Sequence, residues 1–167
     1  MGAIVEEVHI WNSPSVGAFL LWRFTQGYID NHDEAEPPLG LLHFIAAAIL
    51  TSPSLCETIS NQRANLQSYV RGFEDKKLFD QLLSIHERTS QKRVFTLESL
   101  DLATSQGLLL INPDTGKVHC KNIDKKPRKG NAVKPSMKRL GEKAEILGNW
   151  FAEHDVFTTA RYLKVVF

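Results

Sequence analysis

The sequence predicts a mainly α-helical fold of winged-helix type, with one β-hairpin and a C-terminal packing helix. Three observations carry this reading. Apolar residues recur at three-and-four spacing in several segments between Val16 and Phe73. A helical segment from Thr96 runs straight into "LLLINPDTGKVHCKN", two short apolar runs around a turn-forming core. A last stretch repeats apolar residues at Leu140, Ala144, Leu147 and Phe151, the spacing of a packing seam.

The elements follow in order. "NSP" at residues 12–14 is a helix start, an Asn or Ser cap with Pro behind it. Val16, Phe19, Leu20, Phe24 and Tyr28 then mark one stripe, so the helix runs to about Ile29. "DNHDEAEPP" ends it. The next helix, Leu39–Leu50, is apolar nearly all round and belongs in the middle of the fold. "TSPS" breaks it and opens a shorter helix near Leu55 to Ile59. Leu66, Tyr69, Val70 and Phe73 mark another helix, fading around Gly72. "KKLFDQLLSIHERT" sets Leu78, Phe79, Leu82, Leu83 and His86 on one face. The segment from Thr96, with Glu98 and Ser99 near its cap, closes on Gly107 as a C′ glycine. "NPDTG" then turns a hairpin over residues 108–120. A basic stretch follows, and the last helix runs from about Pro135 to Glu153. "TTARYLKVVF" closes the chain as a short helix or strand. The organisation is a helical, winged-helix-like core over 1–120, a basic flexible loop over 121–136, and a helix and tail over 137–167 that pack on the core.

Apolar residues make up 43% and charged residues 23% of the 167, an ordinary globular composition. The net charge of +1 hides an asymmetry. From Lys117 to Lys143 ten basic residues face only Asp124 and Glu142, a net of +8, which leaves −7 for the rest. Cys56 and Cys120 stand 64 positions apart without a CxxC, which argues against a disulfide framework or a zinc site. The start "MGAIVEEVHIWN" has no basic and then apolar leader pattern. The longest apolar run, 12 residues, falls short of the roughly 20 that cross a membrane. These features place the chain in the cytoplasm, off the membrane.

Catalysis finds no support. The histidines form neither HExxH nor HxH, and no GxSxG, P-loop or GxGxxG occurs. His119 and Cys120 are neighbours, but on a strand neighbours point to opposite faces and cannot chelate one ion. Asp30, Asp33, Glu34 and Glu36 lack the glycine and spacing of a calcium loop and read as a solvated acidic loop. His43, in the most apolar helix, reads as a hydrogen-bonded core residue. The expectation is a non-enzymatic protein without cofactor or metal.

Residues 121–139, "KNIDKKPRKGNAVKPSMKR", carry eight Lys or Arg and one acid. Three roles compete. The stretch is a solvated linker, or it contacts nucleic-acid backbone through Lys121, Lys125, Lys126, Arg128, Lys129 and Lys134, or it docks an acidic protein surface. No aromatic interleaves the lysines, so stacking on single strands is unsupported. The helix ahead of the hairpin, "TLESLDLATSQ", bears Glu98 and Asp101 and no cation, which disfavours sequence-specific readout. A free-standing winged-helix DNA-binding regulator is therefore the second reading of the fold. Trp22 lies off the stripe of Val16, Leu20 and Phe24, so it is buried by other elements of the domain or reaches a second subunit.

Several pieces resemble a bacterial family: "SVGAFLLWRFTQGY", "PPLGLLHFIAAAIL", "FTLESLDLATSQGLLLI", "KAEILGNWFAEHD" and "TTARYLKVVF". Their motifs are short and hydrophobic. They comprise Leu21–Trp22–Arg23–Phe24 with Gly27–Tyr28, Gly107–Leu108–Leu109, and Gly148 with Trp150–Phe151. In this order the elements resemble the middle component of three-component ABC (ABC-3C) defence systems, Lamassu being the best-known type. The resemblance implies a non-catalytic bridge between an SMC-like ABC ATPase and a nuclease effector, acting on double-stranded DNA through the complex without sequence preference. It also implies partner contacts at Trp22, Arg23, Tyr28 and Trp150.

Overall fold

The computed structural model describes residues 11–60, 64–121 and 133–167. Helix α1 (Pro14–Asn31) starts as the sequence predicts, with Pro14 in its first positions. Ser13 makes no side-chain cap bond, so the fixed φ of the proline sets this start. Helix α2 (Gly40–Leu50) buries Leu42, His43 and every residue from Ile45 to Leu50, the central place its all-round apolar character requires.

Helix α3 (Pro53–Cys56) is a single turn set by Pro53, earlier than the predicted span; Ile59 lies beyond it and is still buried. Helix α4 (Leu66–Asp75) opens on a capping box. Asn65 Oδ1 accepts from the Ser68 N–H at 2.8 Å, and Ser68 Oγ accepts from the Asn65 N–H at 3.0 Å. It runs through Gly72, because Tyr69, Val70 and Phe73 bury one side of it. That burial outweighs the ~1 kcal/mol helix penalty of one glycine.

Helix α5 (Phe79–Gln91) corrects the predicted face. Leu82 and Ile85 are buried, whereas Leu78, Phe79 and Leu83 are 38%, 39% and 47% exposed and His86 is exposed. Both 79/82/83/86 and 82/85/89 are helical stripes that share Leu82, and packing against α2 selects the second. Helix α6 (Arg93–Ser105) begins three residues before Thr96. The Thr96 and Ser99 hydroxyls do not cap it. They donate to the carbonyls of Lys92 and Phe95 one turn back, at 2.8 and 2.7 Å. At its end Gly107 takes φ +70°, Leu108 N–H donates to Ala103 O and Gly107 N–H to Thr104 O, which is the glycine cap expected.

Strands β1 (Leu109–Ile111) and β2 (Val118–Cys120) pair antiparallel, Leu109 opposite Cys120 and Ile111 opposite Val118. Asn112 makes the turn: its side-chain oxygen accepts from the Asp114 N–H at 2.9 Å and the Thr115 N–H at 3.3 Å. The hairpin also binds the chain ahead of α2, where Val118 N–H donates to Pro38 O and Gly40 N–H to Gly116 O, each at 2.8 Å. The described fold is thus mainly helical, with one two-stranded hairpin. Helix α7 (Pro135–Ala152) lies across α1, which packs on α7 more extensively than on any other element and on α6 next. Helix α8 (Val156–Tyr162) is capped by Asp155, and the tail beyond it buries Leu163 and Val165.

The α1–α7 crossing is a backbone-to-backbone contact. A β-carbon on Gly148 would collide with Phe24 O and lie 2.7 Å from Tyr28 N; one on Gly27 would collide with Glu145 O. Around it Phe24, fully buried, meets Phe151 edge-on at 5.4 Å and His43 edge-on at 5.3 Å. Gly148→Val should therefore destabilise the protein by about 1–3 kcal/mol or more, because backbone cannot yield as a side chain can. Gly72→Ala, where a β-carbon meets nothing within 4 Å, should raise stability by about 0.5–1 kcal/mol. Denaturant melts of the two variants check both signs.

Candidate interaction surface

Phe19, Trp22 and Arg23, each half-buried, lie on one flank of α1, where Phe19 and Arg23 meet α7. Arg23 organises this surface. Its Nη2 pairs with Glu145 Oε1 of α7 at 2.9 Å, its Nη1 donates to Gln26 Oε1 at 3.3 Å, and the guanidinium sits 5.9 Å from the Trp22 ring centroid. Phe19 lies 6.2 Å from the same ring and covers Gly141 of α7. Glu145 is raised above the usual carboxylate range, chiefly by burial, with the Arg23 charge acting against it and Asp30 and Glu142 adding to it. The Trp22 indole N–H is buried with no acceptor in hydrogen-bond geometry. Cys120 feels that N–H only as a weak opponent of the burial that pushes its thiol up to about 11.

The four predicted partner residues divide. Trp22 and Arg23 keep surface. Tyr28 is 7% and Trp150 1% exposed, so both are core residues with nothing to offer a partner in this conformation. Tyr28 stacks on His32 at 5.5 Å, and Trp150 packs on Tyr69 at 5.5 Å. Phe19 and Glu145 belong to the surface and escaped the sequence reading. Phe19 was counted into the core stripe, and nothing local ties Glu145 to an arginine 122 residues earlier.

Of the six predicted backbone-contacting cations, Lys125, Lys126, Arg128 and Lys129 lie outside the described residues. Lys121, directly after β2, and Lys134, directly before α7, are exposed, as are Lys138 and Arg139 on its first turns. None of these four makes an ion pair with another described residue. The two outermost cations of the +8 region serve the fold instead. Lys117 binds Glu36 at 2.8 Å and holds that carboxyl below its usual range. Lys143 Nζ donates to three carbonyls, Cys56 O at 2.9 Å, Glu57 O at 3.1 Å and Ile59 O at 2.8 Å, closing the loop after α3.

Residues 1–167 match the family described as ABC-three component (ABC-3C) system Middle Component 3. The chain belongs to this family. It is therefore a middle component of an ABC-3C defence system, an accessory subunit rather than the ATPase, and it partners the other components of that system. Neither the curated proteins nor the solved structures give a match.

Cys56 and His43 are buried in this middle component, and Cys120 is half-buried. Among the described residues no cluster of His, Cys, Asp or Glu could hold a metal ion. No helix among them is long and apolar enough to cross a membrane. Burial pushes the Cys56 thiol up to about 11, so it and Cys120 are protonated at neutral pH and are weak nucleophiles. His43 is fully buried, as its place in the sequence predicts. Its Nε2 lies 2.9 Å from Thr25 Oγ1, whose hydroxyl donates to Leu21 O at 2.7 Å, and its Nδ1 lies 3.3 Å from Leu39 O.

Burial lowers His43 from 6.5 to about 4, against smaller raising effects of the Leu39 and Gly40 backbone. Between those values the unfolded chain holds the proton and the folded chain does not. Stability is then complete above about pH 6.5 and falls as pH falls, by about 3 kcal/mol near pH 4 from this group alone. The stability difference between wild type and His43→Gln, followed by denaturant unfolding from pH 7 to pH 4, should shrink by about that amount.

Proposed function

We propose that this middle component is a non-enzymatic bridge of the Lamassu type, joining an SMC-like ABC ATPase to a nuclease effector. The observation that carries the reading is the family match over the whole chain, taken with the partly exposed, half-buried Phe19–Trp22–Arg23 surface. An indole beside a guanidinium that Glu145 anchors presents residue types that dominate interface energetics. The helix–hairpin order, with the hairpin also bonded to the chain ahead of α2, supports a winged-helix-like core. On α6 Glu98 and Asp101 are exposed and Arg93 stands at the start, a face that repels phosphates over most of its length. The basic stretch then serves the duplex backbone without reading sequence, in the cytoplasm and off the membrane.

A tagged pull-down from the native operon tests the bridge. It should recover a large coiled-coil ATPase together with a nuclease-sized protein, and recovery of this chain alone in a mild wash sinks the reading. In the same assay Trp22→Ala should weaken recovery of a partner while helical content by circular dichroism stays unchanged. Loss of folding would instead assign Trp22 to the core.

Salt dependence tests the DNA contact. Neutralising Lys125, Lys126, Arg128 and Lys129 together should reduce the log–log salt slope of duplex binding by the assembled complex by about 3.6. Lys143→Met should leave that slope unchanged and cost ~1–3 kcal/mol of stability by stripping three carbonyls of their donor. An unchanged slope in the fourfold variant rejects the backbone contact.

A further inference from the structure

A second basic surface lies away from residues 121–139. Helices α4 and α8 and the start of the tail enclose a cleft of about 500 Å³, within the range of small-ligand sites. Arg71 of α4, Arg161 of α8 and Lys164 of the tail line it, with Glu74 as the one carboxylate. All four are exposed, and the two ion pairs among the described residues, Arg23–Glu145 and Lys117–Glu36, involve none of them. Three cations therefore converge on one concavity with a net charge of +2 and no internal partner. Gln67 Nε2 donates to Tyr162 Oη at 2.8 Å, tying the two walls together. That bond uses the phenol oxygen as acceptor and leaves its proton free to donate. Thr158 is committed elsewhere, since its hydroxyl donates to the Asp155 cap at 2.6 Å.

The position of Lys164 allows its charge to be separated from its backbone. It is the C′ residue of α8, at φ +57°, with Val165 N–H bonded to Ala160 O and Lys164 N–H to Arg161 O. Gly107 holds the same position behind α6, where φ is +70°. A lysine in the left-handed region is strained where glycine is not, so a glycine at position 164 relieves the backbone while it removes the cation. Lys77, the C′ residue of α4 at φ +57°, shares the strain but does not line the cleft, and so serves as a control.

We infer that the Arg71–Arg161–Lys164 cleft binds a phosphate oxyanion. Two guanidinium forks and an ammonium around one concavity match a group that carries more than one negative charge and several acceptor oxygens. The Tyr162 hydroxyl supplies a further donor. This inference does not rest on the bridging role or on the basic stretch.

Inorganic pyrophosphate, titrated into the full chain by calorimetry, is the test. The wild type should bind it, and Arg71→Gln and Arg161→Gln should each bind about tenfold or more weakly, the loss expected for one charge-assisted contact. Lys164→Gly separates binding from folding: its melting temperature should be unchanged or higher while pyrophosphate affinity falls. Lys77→Gly should gain the same backbone relief and keep its affinity. The fourfold variant of Lys125, Lys126, Arg128 and Lys129 should also bind pyrophosphate normally, which keeps this site distinct from the one proposed above. Displacement of pyrophosphate by a short duplex DNA would assign the phosphate to a nucleic-acid backbone; no displacement would assign it to a free phosphate ligand. Absence of pyrophosphate binding, or affinity that the Arg71, Arg161 and Lys164 variants leave unchanged, overturns the inference. So does binding of a polyglutamate peptide in place of pyrophosphate.

Discussion

The contact on which the rest of this structure depends is the approach of two helix backbones at Gly27 and Gly148. At most helix crossings side chains keep the axes 8–10 Å apart. Here the Gly148 backbone rests on Phe24 O and Tyr28 N, and the Gly27 backbone on Glu145. That closeness sets where everything else falls. It brings Phe151 edge-on to Phe24, and Phe24 edge-on to His43, so α2 is sealed between α1 and the C-terminal end of α7. It also places Glu145 within reach of Arg23, one turn before Gly27, and so fixes the orientation in which Trp22 is held.

Charge is divided by the same geometry. The sequence shows one basic region, but the fold draws its two ends inward as structural ties. Lys117 is spent on Glu36, joining the hairpin to the loop ahead of α2, and Lys143 on three carbonyls after α3. What remains for a partner is the run between them. The acidic cluster is divided likewise, since Glu36 pairs with Lys117 while Asp30, Asp33 and Glu34 make no ion pair with a described residue. An ammonium serving three carbonyls leaves no pattern in a sequence, because its acceptors belong to backbone that any residue could supply.

Legibility follows from how local each determinant is. The starts of α1 and α7 were readable because Pro stands at both, and the end of α6 because Gly107 takes a conformation that favours glycine. The hairpin was readable from its turn residues. The face of α5 was not, because two helical stripes share Leu82 and only the tertiary contact with α2 chooses between them. The start of α6 was misplaced because Thr96 and Ser99 look like caps, yet their hydroxyls bond backward inside the helix. Trp150 belongs to a motif that the resemblance expects to meet a partner, yet it is core. Its burial depends on Tyr69, 81 residues away, which no local pattern could show. The Arg71–Arg161–Lys164 cleft escaped for the same reason, since its three cations come from two helices and a tail that meet only in the fold.

The cleft and the described cations of the basic stretch lie toward opposite ends of α7. Lys134, Lys138 and Arg139 stand at its first turns, whereas Trp150, near its last turn, packs on the helix that carries Arg71. An 18-residue helix spans about 27 Å. The seam with α1 holds it as a rod, so a single phosphate group cannot reach both surfaces. A duplex could, since about eight base pairs cover that length at 3.4 Å each. The cleft, however, is concave and of small-ligand volume, and a groove that must follow a long backbone would be open along its length. The distance of the cleft from the described cations at the start of α7, and its concave form, therefore argue that the cleft serves an anion of its own.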